Sequence, residues 1–119
     1  VSADPAAGTA EVAFRVGEEF TNIHGTVQGG ILIAMLDATM GPTLRATLPV
    51  GTEAPTLDIA THFLAPAGAG DFTGHGRLRR KGRGIAFLDA DLLDESGIEV
   101  ATATATFRIR SSAAGRPTS

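Results

Sequence analysis

The sequence predicts an α+β domain: one curved antiparallel sheet wrapped around a single long central helix. Three observations carry that expectation. A stretch of about five helical turns between Val27 and Thr47 is apolar on nearly every face. Four segments downstream of it have strand character. The separators between those segments are short and rich in turn residues, which suits hairpins, whereas parallel strands need crossovers of a dozen residues or more.

Residues 1–10 are small and polar, with Pro5 and Gly8, and read as a loose lead-in. From Glu11, Val12, Phe14 and Val16 alternate with Glu11, Ala13 and Arg15, which predicts a strand reaching to about Glu18. The helix follows, its Ile31, Leu32, Ile33, Ala34, Met35, Leu36, Ala38 and Met40 marking it as buried all round. Strands are then expected at 56–64, 71–81, 84–94 and 98–110, divided by the turns 66–70, 81–84 and 94–97. In the last strand Val100, Thr102, Thr104 and Thr106 are expected on one face, and Ala101, Ala103, Ala105 and Phe107 on the other. Residues 111–119 read as a flexible tail, so the chain is one domain over 1–119 with its core at about 11–110.

Composition narrows the chemistry. The 119 residues are 43% hydrophobic and 19% charged, enough apolar mass for a packed core. Phe is the sole aromatic type, with six copies, so a monomeric core is thin and an oligomer is favoured. The absence of cysteine removes disulfides, thiolate metal sites and a thiol nucleophile. The serines, Ser2, Ser96, Ser111, Ser112 and Ser119, lie at the termini or in a turn, and no G-x-S-x-G elbow activates one. No apolar run approaches the roughly 20 residues of a membrane span, and no secretory leader opens the sequence, so the default compartment is the cytoplasm. The first residue is Val, which leaves room for a start further upstream.

Asp37 is the most informative residue, a carboxylate between Leu36 and Ala38 in an apolar helix. Burying it unpaired costs several kcal/mol, so it either faces a wet edge or serves as a general base or nucleophile at a dry surface. Upstream, Gly25-Thr26-Val27-Gln28-Gly29-Gly30 runs into the helix. Glycines there either permit a tight turn or leave unshielded amide donors at the positive end of the helix dipole, a candidate oxyanion hole. Eight residues separate Gly29 from Asp37, about 12 Å of helix, too far to serve one carbonyl within one chain. If both act on one substrate, two copies of the helix must lie antiparallel across a two-fold axis, giving two composite sites per homodimer.

The net charge is −3, yet Arg77, Arg79, Arg80, Lys81 and Arg83 gather five of the ten cations. On a regular strand Arg77, Arg79 and Lys81 share a face. The cluster is either a charged edge protecting a strand or a seat for a small polyphosphate. Nucleic acid fits poorly, because the chain is acidic overall and lacks interleaved aromatics. His24, His62 and His75 show no metal-ligand spacing, so no metal site is expected. His24 neighbours the glycine loop and can line a pocket there, while His62 and His75 fall on strands.

The string from Asn22 through Gly29-Gly30 to Asp37-Ala38 resembles the hotdog-fold thioesterases of the phenylacetate-degradation (PaaI-like) type, whose signature is N-x-x-G-x-x-H-G-G followed by an apolar helix and an acidic residue. Element order extends the likeness over about residues 11–110, and Arg80-Lys81-Gly82-Arg83-Gly84 looks like the coenzyme A-contacting strand and turn of that family. The resemblance implies an acyl-CoA hydrolase acting on aryl or medium-chain thioesters, without a cofactor, since CoA is part of the substrate. It makes Asp37 the catalytic carboxylate, Gly29 the amide that polarises the thioester carbonyl, Asn22 a support near the leaving group and Thr56 a hydroxyl that orients water. His24, Gln28 and Gly30 would complete the substrate site. It also implies a homodimer, and tetramers are common in the family. Two departures stand out. Gln28 occupies the position of the family's usual His, which keeps a non-catalytic acyl-CoA binder open as the second reading. Pro42 falls inside the helix and is expected to kink it. A hydratase of the same fold ranks last, because His24 has no acidic partner in the sequence.

Overall fold

A computed structural model describes residues 1–110. Its elements are β1 (Ser2–Asp4), β2 (Thr9–Val16), a single 3₁₀ turn (Glu18–Phe20), α1 (Gly29–Arg45), β3 (Thr56–Phe63), β4 (Gly70–Lys81), β5 (Ile85–Asp94) and β6 (Glu99–Arg108). The strands form one sheet of order β1-β2-β4-β5-β6-β3, every pair antiparallel, and the sheet curves around α1 as the hotdog fold does. The lead-in expected to be loose instead forms a hairpin. β1 pairs with the start of β2, and Gly8, at φ 70°, closes the turn in a conformation that side chains resist. The tail over 111–119 lies outside the described residues.

The period-two patterns place one face of β2, β4, β5 and β6 under the helix. Val16 of β2, Phe72 of β4, Leu88, Ala90 and Leu92 of β5, and Ala103, Ala105 and Phe107 of β6 are buried there with Leu32, Met35, Leu36, Met40 and Leu44 of α1. The helix lies close to the sheet because β4 offers Gly74 and Gly76 on that face. A Cβ on either glycine would overlap the side chain of Thr39 or Thr43. Those two threonines are fully buried, yet their hydroxyls are satisfied by bonds back to the carbonyls of Met35 (2.8 Å) and Thr39 (2.7 Å).

Two expectations need correction. α1 is buried on one side only: Gly30, Ala34 and Ala38, spaced at i, i+4, form an exposed row, because a single sheet covers a single face. In β6 the alternation fails at its start. Val100 is as buried as Ala101, because a register shift between Leu92 and Leu93 of β5 disturbs the ladder opposite Glu99–Ala101.

Candidate active site

Asp37 is half-buried on α1, and its carboxylate accepts a hydrogen bond of 2.7 Å from the hydroxyl of Thr56, the first residue of β3. The two residues are 19 apart in sequence and meet because α1 and β3 run side by side in opposite senses. The carboxylate is thus held in one orientation, as a positioned general base must be.

At the other end of β3 lies the helix start. Gln28 is its N-cap residue, exposed, with φ −61°, ψ 143° and no side-chain capping bond. The first intrahelical donors are Ile31 N–H (3.0 Å) and Leu32 N–H (3.3 Å) to the Gln28 carbonyl. Among the described residues no acceptor pairs with the N–H of Gly29 or Gly30, as the first turn of any uncapped helix leaves them. The loop before them is pinned on both sides. Asn22 Oδ1 accepts from the backbone of His24 (2.9 Å) and Thr26 (3.2 Å) and from the Thr26 hydroxyl (3.1 Å), while Val27 N–H bonds Ala67 O (2.8 Å) and Gln28 N–H bonds Phe20 O (3.1 Å). The Asn22 carbonyl oxygen therefore holds the loop in shape, and the His24 side chain stands exposed on that loop.

Beside Gly29 is a cup of about 310 Å³, floored by Val27, Leu32 and Ala67 and walled by Phe63, Leu64 and Pro66. Thr26 is its one polar side chain. The tip of the Phe63 ring leans on Gly29, where a Cβ would stand 3.1 Å from Cζ. Reading the sequence did not single out Phe63. Its signal was the alternation of Ile59, Thr61 and Phe63, which puts all three on the helix side of the sheet.

The cationic cluster is divided by a bulge. Arg77 pairs with Asp89 and Leu78 with Leu88, but the next pair is Arg80 with Phe87, so Arg79 is the extra residue. Lys81 consequently points to the helix side and donates to the carbonyl (3.1 Å) and hydroxyl (3.3 Å) of Thr47, which corrects the expected shared face with Arg77 and Arg79. Arg77 is held by Asp89 (2.6 Å) and Asp91 (3.0 Å), and Arg79 by Asp89 (3.5 Å). Burial acts to lower the Arg77 pKa, but the charges and hydrogen bonds of those two aspartates outweigh it and the net shift is upward. Arg80 and Arg83 are exposed and have no ion pair among the described residues. Gly82 N–H closes the β4–β5 turn onto Ile85 O (2.9 Å), and Gly84 O accepts from Ile109 N–H (2.8 Å). Cross-strand partners Thr56, Phe107 and Ala86 place this turn at the Asp37–Thr56 end of the sheet, away from Gly29 of the same chain. His75 faces Glu11 at 3.7 Å on the outer surface, and His62 is exposed, both away from this arrangement.

Known proteins share the fold and much of the sequence. The family model for the acyl-CoA thioesterase N-terminal domain matches residues 16–108. A phenylacetic acid degradation-related protein of Ralstonia eutropha JMP134, an inferred thioesterase, is 41% identical over 88% of this chain and 79% of its own, with a TM-score of 0.85. A Bacillus halodurans protein solved with CoA is 25% identical over 83% of this chain and 66% of its own, with a TM-score of 0.79. A curated relative from Saccharolobus solfataricus, named as an inferred esterase, is 31% identical over 76% of this chain, which spans 64% of that relative's length. The matched span holds α1 and strands β3 to β6 entire, and with them Asp37, Thr56 and the glycine-led helix start: the chain belongs to the acyl-CoA thioesterase family, on a hotdog fold of the PaaI-like kind.

Proposed function

We propose that this protein is an acyl-CoA thioester hydrolase, releasing free CoA and a carboxylic acid from aryl or medium-chain substrates, and that it works as a cytoplasmic homodimer with composite sites. The observation that carries the reading is the pair of unpaired amides, Gly29 and Gly30, at the lip of an apolar cup. Such donors stabilise the negative oxygen of a tetrahedral intermediate. The acid that completes the chemistry, Asp37, lies about 12 Å along the same helix. Antiparallel contact of two helices through the exposed row Gly30, Ala34 and Ala38 brings Asp37 and Thr56 of one chain to Gly29 of the other. The free edge of β3 agrees with this symmetry: Thr56 and Phe63 lie at its opposite ends, so antiparallel pairing of two such edges sets the Thr56 end of one chain beside the Phe63 end of its mate.

In the reaction a water oxygen bonds to the thioester carbonyl carbon while Asp37 takes its proton. The carbonyl oxygen, now an anion, is held by Gly29 N–H. Collapse breaks the C–S bond, and the proton passes to the departing CoA thiolate. Thr56 keeps the carboxylate aimed, and Gln28 and Gly30 line the carbonyl, with Asn22 and His24 on the loop beside it. Direct attack by Asp37, giving a mixed anhydride that water then opens, uses the same groups. CoA phosphates would rest on Arg80 and Arg83 and the Gly84 N–H of the turn that Gly82 closes, with Lys81 at the rim, on the chain that supplies Asp37. The Bacillus halodurans relative solved with CoA supports that ligand class. Pairing of two dimers into a tetramer is compatible with the exposed outer sheet.

Purified protein should release thiol from acyl-CoA, and Asp37→Ala should abolish release while leaving the dimer intact. Unchanged turnover in that variant defeats the mechanism. The second reading, a non-catalytic acyl-CoA binder, is favoured by Gln28, because an amide replaces an imidazole beside the carbonyl. Calorimetric binding of CoA with no thiol release from any ester would establish it.

A further inference from the structure

We propose that Arg45 of one chain pairs with the acidic 3₁₀ turn of a second copy, at Glu18 and Glu19, and that this contact fixes the antiparallel register of the shared site; the inference rests on the composite-dimer reading. Gly29, Ile33, Asp37, Gly41 and Arg45 recur every four positions, so they follow one another along one stripe of α1, beside the exposed row of Gly30, Ala34 and Ala38. The exposed Arg45 side chain folds back along that stripe. Its Nη1 and Nη2 lie 2.9 and 3.2 Å from where a Cβ on Gly41 would be. The guanidinium thus covers the glycine one turn, about 6 Å, beyond Asp37. Among the described residues it forms no ion pair.

The opposite charge lies at the helix start. Gln28 N–H bonds Phe20 O (3.1 Å), which sets the turn Glu18–Phe20 against the residue that precedes Gly29. Glu18 and Glu19 are exposed, and the Glu19 carboxylate folds over Gly17 instead of meeting a cation. Neither forms an ion pair among the described residues. When Asp37 of one chain meets Gly29 of its mate, the guanidinium stands one turn beyond the acid, and the two carboxylates stand one hydrogen bond beyond the mate's helix start. Two-fold symmetry makes the contact twice. Helices packed in the parallel sense would set Arg45 beside Arg45 and one acidic turn beside the other, and like charges suppress that arrangement. The pair lies outside the reacting groups, so it selects orientation and takes no part in hydrolysis.

The test measures the dimer Kd by sedimentation for the wild type, for Arg45→Glu, and for a chain carrying both Glu18→Lys and Glu19→Lys. Each altered chain alone places like charges at both contacts and should weaken the dimer by roughly tenfold or more. Mixed in equal amounts, the two should form a heterodimer in which both contacts again join opposite charges, with a Kd within about threefold of the wild type and thiol release restored. Added salt should narrow the gap between wild type and variants. A mixture that associates no better than its components overturns the proposal, as does an Arg45→Glu dimer as tight as the wild type. Arg45→Glu protein that dimerises normally but has a raised KM for the CoA ester assigns the guanidinium to the substrate, with the same consequence. A wild type that stays monomeric ends the shared-site reading itself and the pairing with it, whereas a wild-type dimer whose variants mix without preference ends the pairing alone.

Discussion

Substituting proline for Gly29 removes one N–H and otherwise suits the helix start. Gly29 is the first helical residue, where proline is well tolerated, and Gln28 at φ −61°, ψ 143° already has the extended conformation that a following proline requires. The ring must displace Phe63 by a few tenths of an ångström, which a half-exposed side chain allows. Gly29→Pro should therefore keep its thermal midpoint within a few degrees and lose about 100-fold in kcat, read by thiol release. Full activity in that variant would remove the amide from the mechanism. At the acid, Thr56→Val deletes the 2.7 Å hydroxyl bond to Asp37 with little change of shape. A loss of about tenfold in kcat is expected, equivalent to the roughly 1–2 kcal/mol of one charged hydrogen bond, with KM little changed. Asp37 was conspicuous in the sequence as a charge among apolar neighbours. The resemblance singled out Thr56 as a hydroxyl that orients water, but its bond to Asp37 was not legible, since nothing local links residues 19 apart.

At the scale of elements, the packing of α1 on β4 depends on two absent side chains. Gly74→Ala and Gly76→Ala each place a methyl group against Thr39 or Thr43 and should destabilise by about 1–3 kcal/mol in urea unfolding. Gly84→Ala, which meets open space, is the control and should be nearly neutral. On the outer face of β5 and β6, Glu99 hydrogen-bonds Asp91 and feels its charge, so its pKa is raised despite the opposing influence of Arg77. A raised folded-state pKa means the folded chain binds more protons than the unfolded one, so stability falls as pH rises from the ordinary Glu value of about 4.3 through the raised one. Glu99→Gln should flatten that slope in urea midpoints taken between about pH 4 and pH 7, the effect being small because Glu99 is exposed. A slope unchanged by the substitution would assign it to other carboxylates. Helix and strand positions were readable to within a few residues, because periodicity and turn residues are local signals. The hairpin at β1 was not, because Ser2–Asp4 carries no alternation and is a strand only by pairing with β2.

For the whole molecule, the two halves of the proposed site lie at the start and the middle of one helix, about 12 Å apart, so activity should depend on association. Ala34→Arg, on the exposed row of α1, should give a monomer in sedimentation and lose thiol release together with the dimer; an active monomer would refute the shared site. Mixing Asp37→Ala with Gly29→Pro protein makes the sharper test. Each variant alone is expected to retain about one hundredth of the wild-type rate or less, but a mixed dimer has one site with both defects and one with neither, so equal mixing with full exchange should restore about one quarter of the wild-type rate. No recovery despite demonstrated exchange would put Asp37 and Gly29 in one chain's site or in none. The sequence by itself determined the α+β class, the order of elements, the lone acid on the helix and the bare glycines at its start, because each is written in spacing and residue type within a short window. Tertiary structure alone decided that a bulge at Arg79 would turn Lys81 toward Thr47, that Thr56 would reach Asp37, and that Phe63 would settle on Gly29. Each of those depends on strand register, and a slip of one residue moves every side chain of a strand to the opposite face, so no local pattern can specify them.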